Sequence, residues 1–130
     1  MRTVDYLVSW PEVDANRIGC VDVSLGGYRS LLLAGLDAWI SAACVVGFMS
    51  TVRPMIWKHM DAHSFSHFIP GVHARLDLPD VVALRIPKPL FVLLCRRDGL
   101  FPISGMEESV AKLAAIHKSW GGFGVSFKIL

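Results

Sequence analysis

The sequence predicts an α/β fold in which helices flank a mainly parallel sheet. Three observations carry that expectation. Apolar residues gather in short continuous blocks ("IGCV", "AACVVGFM", "PLFVLLC"), the signature of strands buried on both faces. Segments of helical periodicity separate the blocks, and such alternation favours parallel strands joined by crossover helices. The length, 130 residues, fits one domain.

Each element has its own local reason. Val4, Leu7 and Val8 share one face of a short helix, which Pro11 ends. "EVDANR" reads as a polar turn and "RIGCVDV" as the first strand. Ser24-Leu25-Gly26-Gly27 breaks the chain before a helix over Tyr28 to Leu36, and "SAACVVGF" is the second strand. A helix is expected around Arg53 to Phe68, then a loop at Pro70-Gly71 and a helical turn or two from Pro79 to Leu84. "KPLFVLLC" is the third strand, followed by an Asp-Gly turn in "RRDGLFP". Ser104 and Glu107 match a capping box. Met106, Val110, Leu113, Ala114 and His117 follow at helical spacing, Gly121-Gly122 stops the helix, and "VSFKIL" is the fourth strand.

Composition excludes several classes. The chain is 53% hydrophobic with a mean hydropathy of +0.48. No apolar block approaches the roughly 18–20 residues of a membrane helix, so no membrane association is expected. The net charge is +2 and no basic cluster exceeds a pair such as Arg96-Arg97, which leaves no electrostatic footprint for nucleic acid. The first residues hold no apolar core long enough for a secretory signal. Cys20, Cys44 and Cys95 lie in or beside apolar blocks without metal spacing, so buried, reduced thiols in a cytosolic protein are expected.

The chemistry-bearing stretch is "CVDVSLGGYRS". A nucleophile elbow turns a strand sharply into a helix, exposes a serine hydroxyl and aims the next backbone N–H at an oxyanion. Strand and helix nearly touch there, so small residues are needed two positions before and after the serine. Gly26 meets the second requirement, with Gly27 beside it. Asp22 stands where the first glycine of G-x-S-x-G belongs, adding bulk and negative charge. Serine and glycine are also common in ordinary strand-to-helix loops. Asp98 follows a later strand, in the Ser-then-Asp order of a triad on such a sheet, although Asp-Gly is also a common turn.

On these residues the chain resembles the C-terminal half of an α/β-hydrolase, of the dienelactone-hydrolase-like or prolyl-oligopeptidase-like esterases. "PEVDANRIGCVDVSLGG" resembles their approach to the elbow, "IPKPLFVLLCRRDGLFP" their acid-bearing strand and loop, and "SGMEESVAKLAAIHKSWG" the helix after it. The resemblance implies a partial α/β-hydrolase fold over residues 1–130, with a cap-like insertion around 49–79. It implies Ser24 as nucleophile, Asp98 as triad acid, the Leu25 N–H as oxyanion donor, and a small-molecule ester as substrate. No cofactor is implied.

The same resemblance places the base, a histidine, after the last strand, and a second oxyanion donor well before the elbow. Neither is found in this sequence. The chain is therefore expected to be a fragment or truncated product, weakly active or inactive alone. A non-catalytic α/β domain, or a decayed hydrolase with a structural or interaction role, is the alternative. His117 falls among apolar helix positions and reads as a packing residue.

His59, His63 and His67, at i, i+4 and i+8, would share one helix face. Three ligands stacked along a helix diverge in height, so no metal site is expected. Trp57, Phe65 and Phe68 could line a pocket there or belong to the core. G-x-G-x-x-G and the phosphate-loop lysine are absent, which sets nucleotide binding aside.

Overall fold

The structure, a computed structural model, describes residues 2–122 and 124–130. Helix α1 (Arg2–Val8) leads to strand β1 (Ile18–Val23), helix α2 (Leu25–Leu36) and strand β2 (Ile40–Val46). A long connection carries short 3-10 turns at Arg53–Met55, Met60–Ala62 and Phe65–His67. Helix α3 (Leu78–Ala83), strand β3 (Leu90–Leu94), helix α4 (Ile103–Ser119) and strand β4 (Val125–Ile129) complete the chain. The four strands pair in sequence order, β1-β2-β3-β4, and every pairing is parallel. No helix among the described residues is long and apolar enough to cross a membrane.

Register decides which residues meet the helices. Ala43, Leu90 and Val125 align across β2, β3 and β4, as do Val45, Val92 and Phe127. Ala43, Val45, Leu90 and Val92 are buried with Leu31 and Ala34 of α2 and Met106 and Leu113 of α4. Truncating a fully buried leucine such as Leu31 or Leu113 to alanine costs about 2–5 kcal/mol. The alternate register line, Val21, Cys44, Phe91 and Ser126, points to the other face. None of those four belongs to the core, and Val21 is 69% exposed.

Arg85 is buried and has no carboxylate partner among the described residues. It donates to the carbonyls of Pro89 at 2.8 Å and of Ala34 and Ser41 at 3.4 Å, tying the end of α2 to the starts of β2 and β3. Burial pulls its pKa below the usual guanidinium range.

Asp77 closes the long connection at its neck. Its carboxylate accepts from Val52 N–H at 3.1 Å and from Leu78 N–H at 2.7 Å, while its own N–H donates to Asp80 at 2.8 Å. This reciprocal capping box starts α3. The connection thus leaves and re-enters the domain at one place.

Several expectations need correction. Arg53 to Phe68 is not one helix. The Ser64 hydroxyl accepts from Ser66 N–H, a local bond that competes with helix propagation, and the segment breaks into 3-10 turns. The i, i+4, i+8 histidine stripe is therefore not formed. Ser104 does not cap α4: the helix starts at Ile103 with Pro102 in the cap position and no side-chain cap. Cys95 is exposed, whereas Cys20 and Cys44 are half-buried, all three as free thiols. Trp57 and Phe65 are 91% and 95% exposed, so neither is core. His117 is buried, its Nδ1 3.1 Å from the Leu113 carbonyl.

Candidate active site

The C-terminal edge of the sheet gathers the residues with chemistry. Ser24 joins β1 to α2 and has φ 56° and ψ −124°, the one positive φ of a non-glycine among the described residues. Such a backbone costs about 1–3 kcal/mol and persists only where its surroundings fix it. Two bonds do so here: Ser24 N–H donates to the Val46 carbonyl at 2.9 Å, and Tyr28 N–H donates to the Ser24 carbonyl at 3.1 Å. Ser24 stands at the N-cap of α2, where a serine hydroxyl ordinarily accepts a backbone N–H. It makes no such bond, and the residue is exposed.

The glycines allow this approach. A Cβ on Gly27 would lie 2.7 Å from the Val46 carbonyl oxygen. A Cβ on Gly26 would collide with the Asp22 carboxylate. Asp22, the departure from the usual elbow pattern, thus takes the space that Gly26 leaves, and its Oδ1 accepts from Val23 N–H at 2.8 Å. Leu25 follows Ser24 as the first residue of α2, so its N–H is free of intrahelical bonding.

Asp98 lies four residues beyond β3, half-buried, and its Oδ1 accepts from Leu100 N–H at 3.0 Å. Because the strands are parallel, Ser24 and Asp98 share the sheet edge where α/β folds bind ligands. β2 lies between their strands, a separation of about 10 Å in strand spacings. Among the described residues no histidine hydrogen-bonds to either.

Sequence reasoning missed what the long connection brings to this edge. His63 Nε2 lies 2.9 Å from the Leu100 carbonyl, and its ring is 4.7 Å from Phe101. His67 is buried, its ring 4.4 Å from Tyr28 and 4.8 Å from Phe48. Phe48 lies close enough to the elbow that a Cβ on Gly27 would sit 3.3 Å from its own Cβ, and it packs on Phe101 at 4.9 Å. Gly47, at φ 63° directly after β2, was the available sign that Phe48 turns onto this edge. Among the described residues no group of three or more potential ligands could hold a metal ion.

A parallel sheet with an exposed, strained serine between strand and helix and an aspartate after a later strand defines part of an α/β-hydrolase fold. Comparison with known proteins agrees. The chain is 26% identical over 123 residues to YtaP of Bacillus subtilis (strain 168), a protein provisionally named a hydrolase, covering 93% of this chain and 41% of YtaP. A glucuronoyl esterase from Solibacter usitatus matches 98% of this chain and 40% of its own, at 19% identity and a TM-score of 0.74. The acylaminoacyl peptidase of Pyrococcus horikoshii matches 97% of this chain and 21% of its own, at 16% identity and a TM-score of 0.72. The chain thus spans well under half the length of these relatives. No family model matches.

Proposed function

We propose that this chain carries the nucleophile and the acid of a serine ester hydrolase and forms a C-terminal portion of its domain, with residues 49–79 as an insertion beside the site. The observation behind this reading is the strained backbone of Ser24, which leaves an uncapped hydroxyl on the same sheet edge as Asp98. Strain of that kind, in an exposed turn, is kept where geometry serves chemistry.

In this reading Ser24 Oγ attacks the ester carbonyl carbon while a histidine base takes its proton. The Leu25 N–H stabilises the tetrahedral oxyanion, the alcohol leaves with the proton, and water releases the acyl group by the reverse sequence. Asp98 orients the histidine. That histidine comes from outside the residues of this chain, as does a second oxyanion donor. Esters as substrates accord with the esterase among the structural relatives. A cytoplasmic location accords with the three free thiols.

One observation favours a second reading for the chain by itself. Asp22 places a carboxylate against the first turn of α2, and no described histidine reaches Ser24. A non-catalytic role would follow. Labelling with a serine-directed phosphonate separates the two. The 130-residue chain should label poorly. A protein completed with the missing strands and the terminal histidine loop of a relative should label at Ser24, and Ser24→Ala should abolish that. No labelling of the completed protein, even with Asp22→Gly, decides for the non-catalytic reading.

A further inference from the structure

Residues 56–77 hold one buried residue, and it is a histidine. His67 is 5% exposed, whereas Trp57 and Phe65 of the same segment stand out in water. Its ring lies edge-on to Tyr28, one helical turn past Ser24, and against Phe48, with His63 at 5.5 Å and Phe68 at 6.3 Å. Neither ring nitrogen has a hydrogen-bond partner among the described residues. Two bonds also tie the segment to the domain: His63 Nε2 to the Leu100 carbonyl at 2.9 Å, open to water, and the Tyr28 hydroxyl to the Ser66 carbonyl at 3.3 Å. The ends are fixed separately, by the Asp77 carboxylate on Val52 N–H. Within residues 56–76 only Phe68 packs on the hydrophobic core, and it is half-buried.

We infer that residues 56–76 form a strap, hinged at the Val52–Asp77 neck and latched by the His67 ring on Tyr28 and Phe48, which acid releases while the sheet stays folded. A charged imidazolium carries two N–H donors, and neither meets an acceptor in this aromatic enclosure. Burial, and then His63, already hold the ring below its ordinary pKa. The other groups facing it offer no relief: the Tyr28 phenol, raised by burial, stays uncharged in acid, and Phe48 and Phe68 carry no charge. His63 and His73 differ from His67. The nitrogen each turns to a carbonyl holds a proton in either charge state, so those bonds survive acid, and the His73 bond lies within the strap, to the His67 carbonyl. Detachment exposes few apolar residues, so it is a local opening that precedes unfolding of the sheet. The open state binds the proton more tightly. Its ratio to the closed state therefore rises as pH falls below about 6.5, by up to about tenfold per pH unit, and levels off below the closed-state value. Opening bares Tyr28 and Phe48 beside the Ser24 turn, so pH sets access to that sheet edge. This holds whether or not Ser24 is a nucleophile.

The chain has two tyrosines, Tyr28 under the strap and Tyr6, which is exposed and serves as reference. With both replaced by 3-fluorotyrosine, the 19F shift between H2O and D2O reads the exposure of each. At pH 7.5 only Tyr6 should show the full solvent shift. Towards pH 4.5 Tyr28 should gain it, while the amides of β2 and β3 keep their protection from hydrogen exchange. His67→Phe, which fills the enclosure without titrating, should keep Tyr28 covered throughout. His63→Gln, which keeps a donor towards Leu100, should still open. A Tyr28 that stays covered in the parent at pH 4.5, or a His67→Phe variant that opens in step with the parent, overturns the inference. So does loss of sheet protection together with Tyr28 exposure, which would mean that the whole fold yields. Should His67→Phe fail to fold, the 15N titration of the His67 ring in the parent decides: a midpoint matching that of Tyr28 exposure supports the latch, and a different midpoint refutes it.

Discussion

The Asp22 carboxylate lies over Gly26, in the volume that any side chain at position 26 would need. The two positions are thus complementary: one has gained the bulk that the other lacks. In an ordinary helix, glycine to alanine gains about 0.5–1 kcal/mol. Here Gly26→Ala should destabilise by about 1–3 kcal/mol, because the carboxylate must move. In an Asp22→Gly background the same change should be neutral or stabilising. Urea melts of the four variants check this through the coupling energy, and additive effects would refute the contact.

Ser24 makes the opposite prediction for glycine. Its positive φ costs an L-residue about 1–3 kcal/mol, which glycine largely avoids, less about 0.5–1 kcal/mol for the freer unfolded chain. Ser24→Gly should therefore stabilise by roughly 1 kcal/mol, and Ser24→Ala should be near neutral because it keeps the strain. Thermal melting compares them. Stabilisation by alanine and not glycine would mean that the turn relaxes in solution.

Much of the fold was legible because its strands announce themselves. "KPLFVLLC" is continuous and apolar because β3 lies inside the sheet, and Leu90, Val92 and Leu94 are all buried. The turn at Ser24 was legible because Gly27 marks a close approach of backbones, to the Val46 carbonyl, and Gly26 leaves room beside it. The long connection was not. Its histidine spacing imitates a helix, but Ser64 bonds locally to Ser66 N–H, and the fixed points are distant ones, Asp77 to Val52 and His63 to Leu100. Ser104-Glu107 has the spacing of a capping box, but α4 had already begun at Ile103. The aromatic cluster around His67 joins residues from separate segments of the chain, so no local pattern encodes it.

Acid should loosen the fold through His67. Its folded-state pKa lies below the ordinary value of about 6.5 because burial, and then His63, disfavour the charged ring. Between the two values the unfolded chain binds more protons, so stability falls as pH falls. The full contribution is present above about 6.5 and is lost as pH drops through the folded value. The groups facing the ring are His63, the Tyr28 phenol, whose raised pKa keeps it neutral in this range, and His73, whose Nε2 lies 2.8 Å from the His67 carbonyl. Urea melts from pH 7.5 to 4.5 should show a shallower acid loss in His67→Phe than in the parent. Parallel curves would mean that His67 protonates without penalty.

The sheet face opposite the helices makes the last prediction. Val21 and Val23 on β1 are 69% and 61% exposed, on an edge strand whose outer N–H and C=O groups have no strand partner among the described residues. Val21 continues sideways into Cys44 and Phe91, and Val23 into Val46 and Leu93, these four half-buried, so a partly exposed apolar surface runs across three strands. An apolar face joined to an open edge favours association between chains. The chain should therefore self-associate with rising concentration, as read by sedimentation velocity. Val21→Lys with Val23→Lys should suppress this at least severalfold, because two charges would have to be desolvated in any contact. Neither valine belongs to the core, so stability should change by only about 0.5 kcal/mol. A monomeric parent chain at high concentration, or a lysine variant that associates as strongly, would show that this face is not what drives contact. Loss of the folded signal in the lysine variant would show instead that β1 depends on packing by its outer side chains.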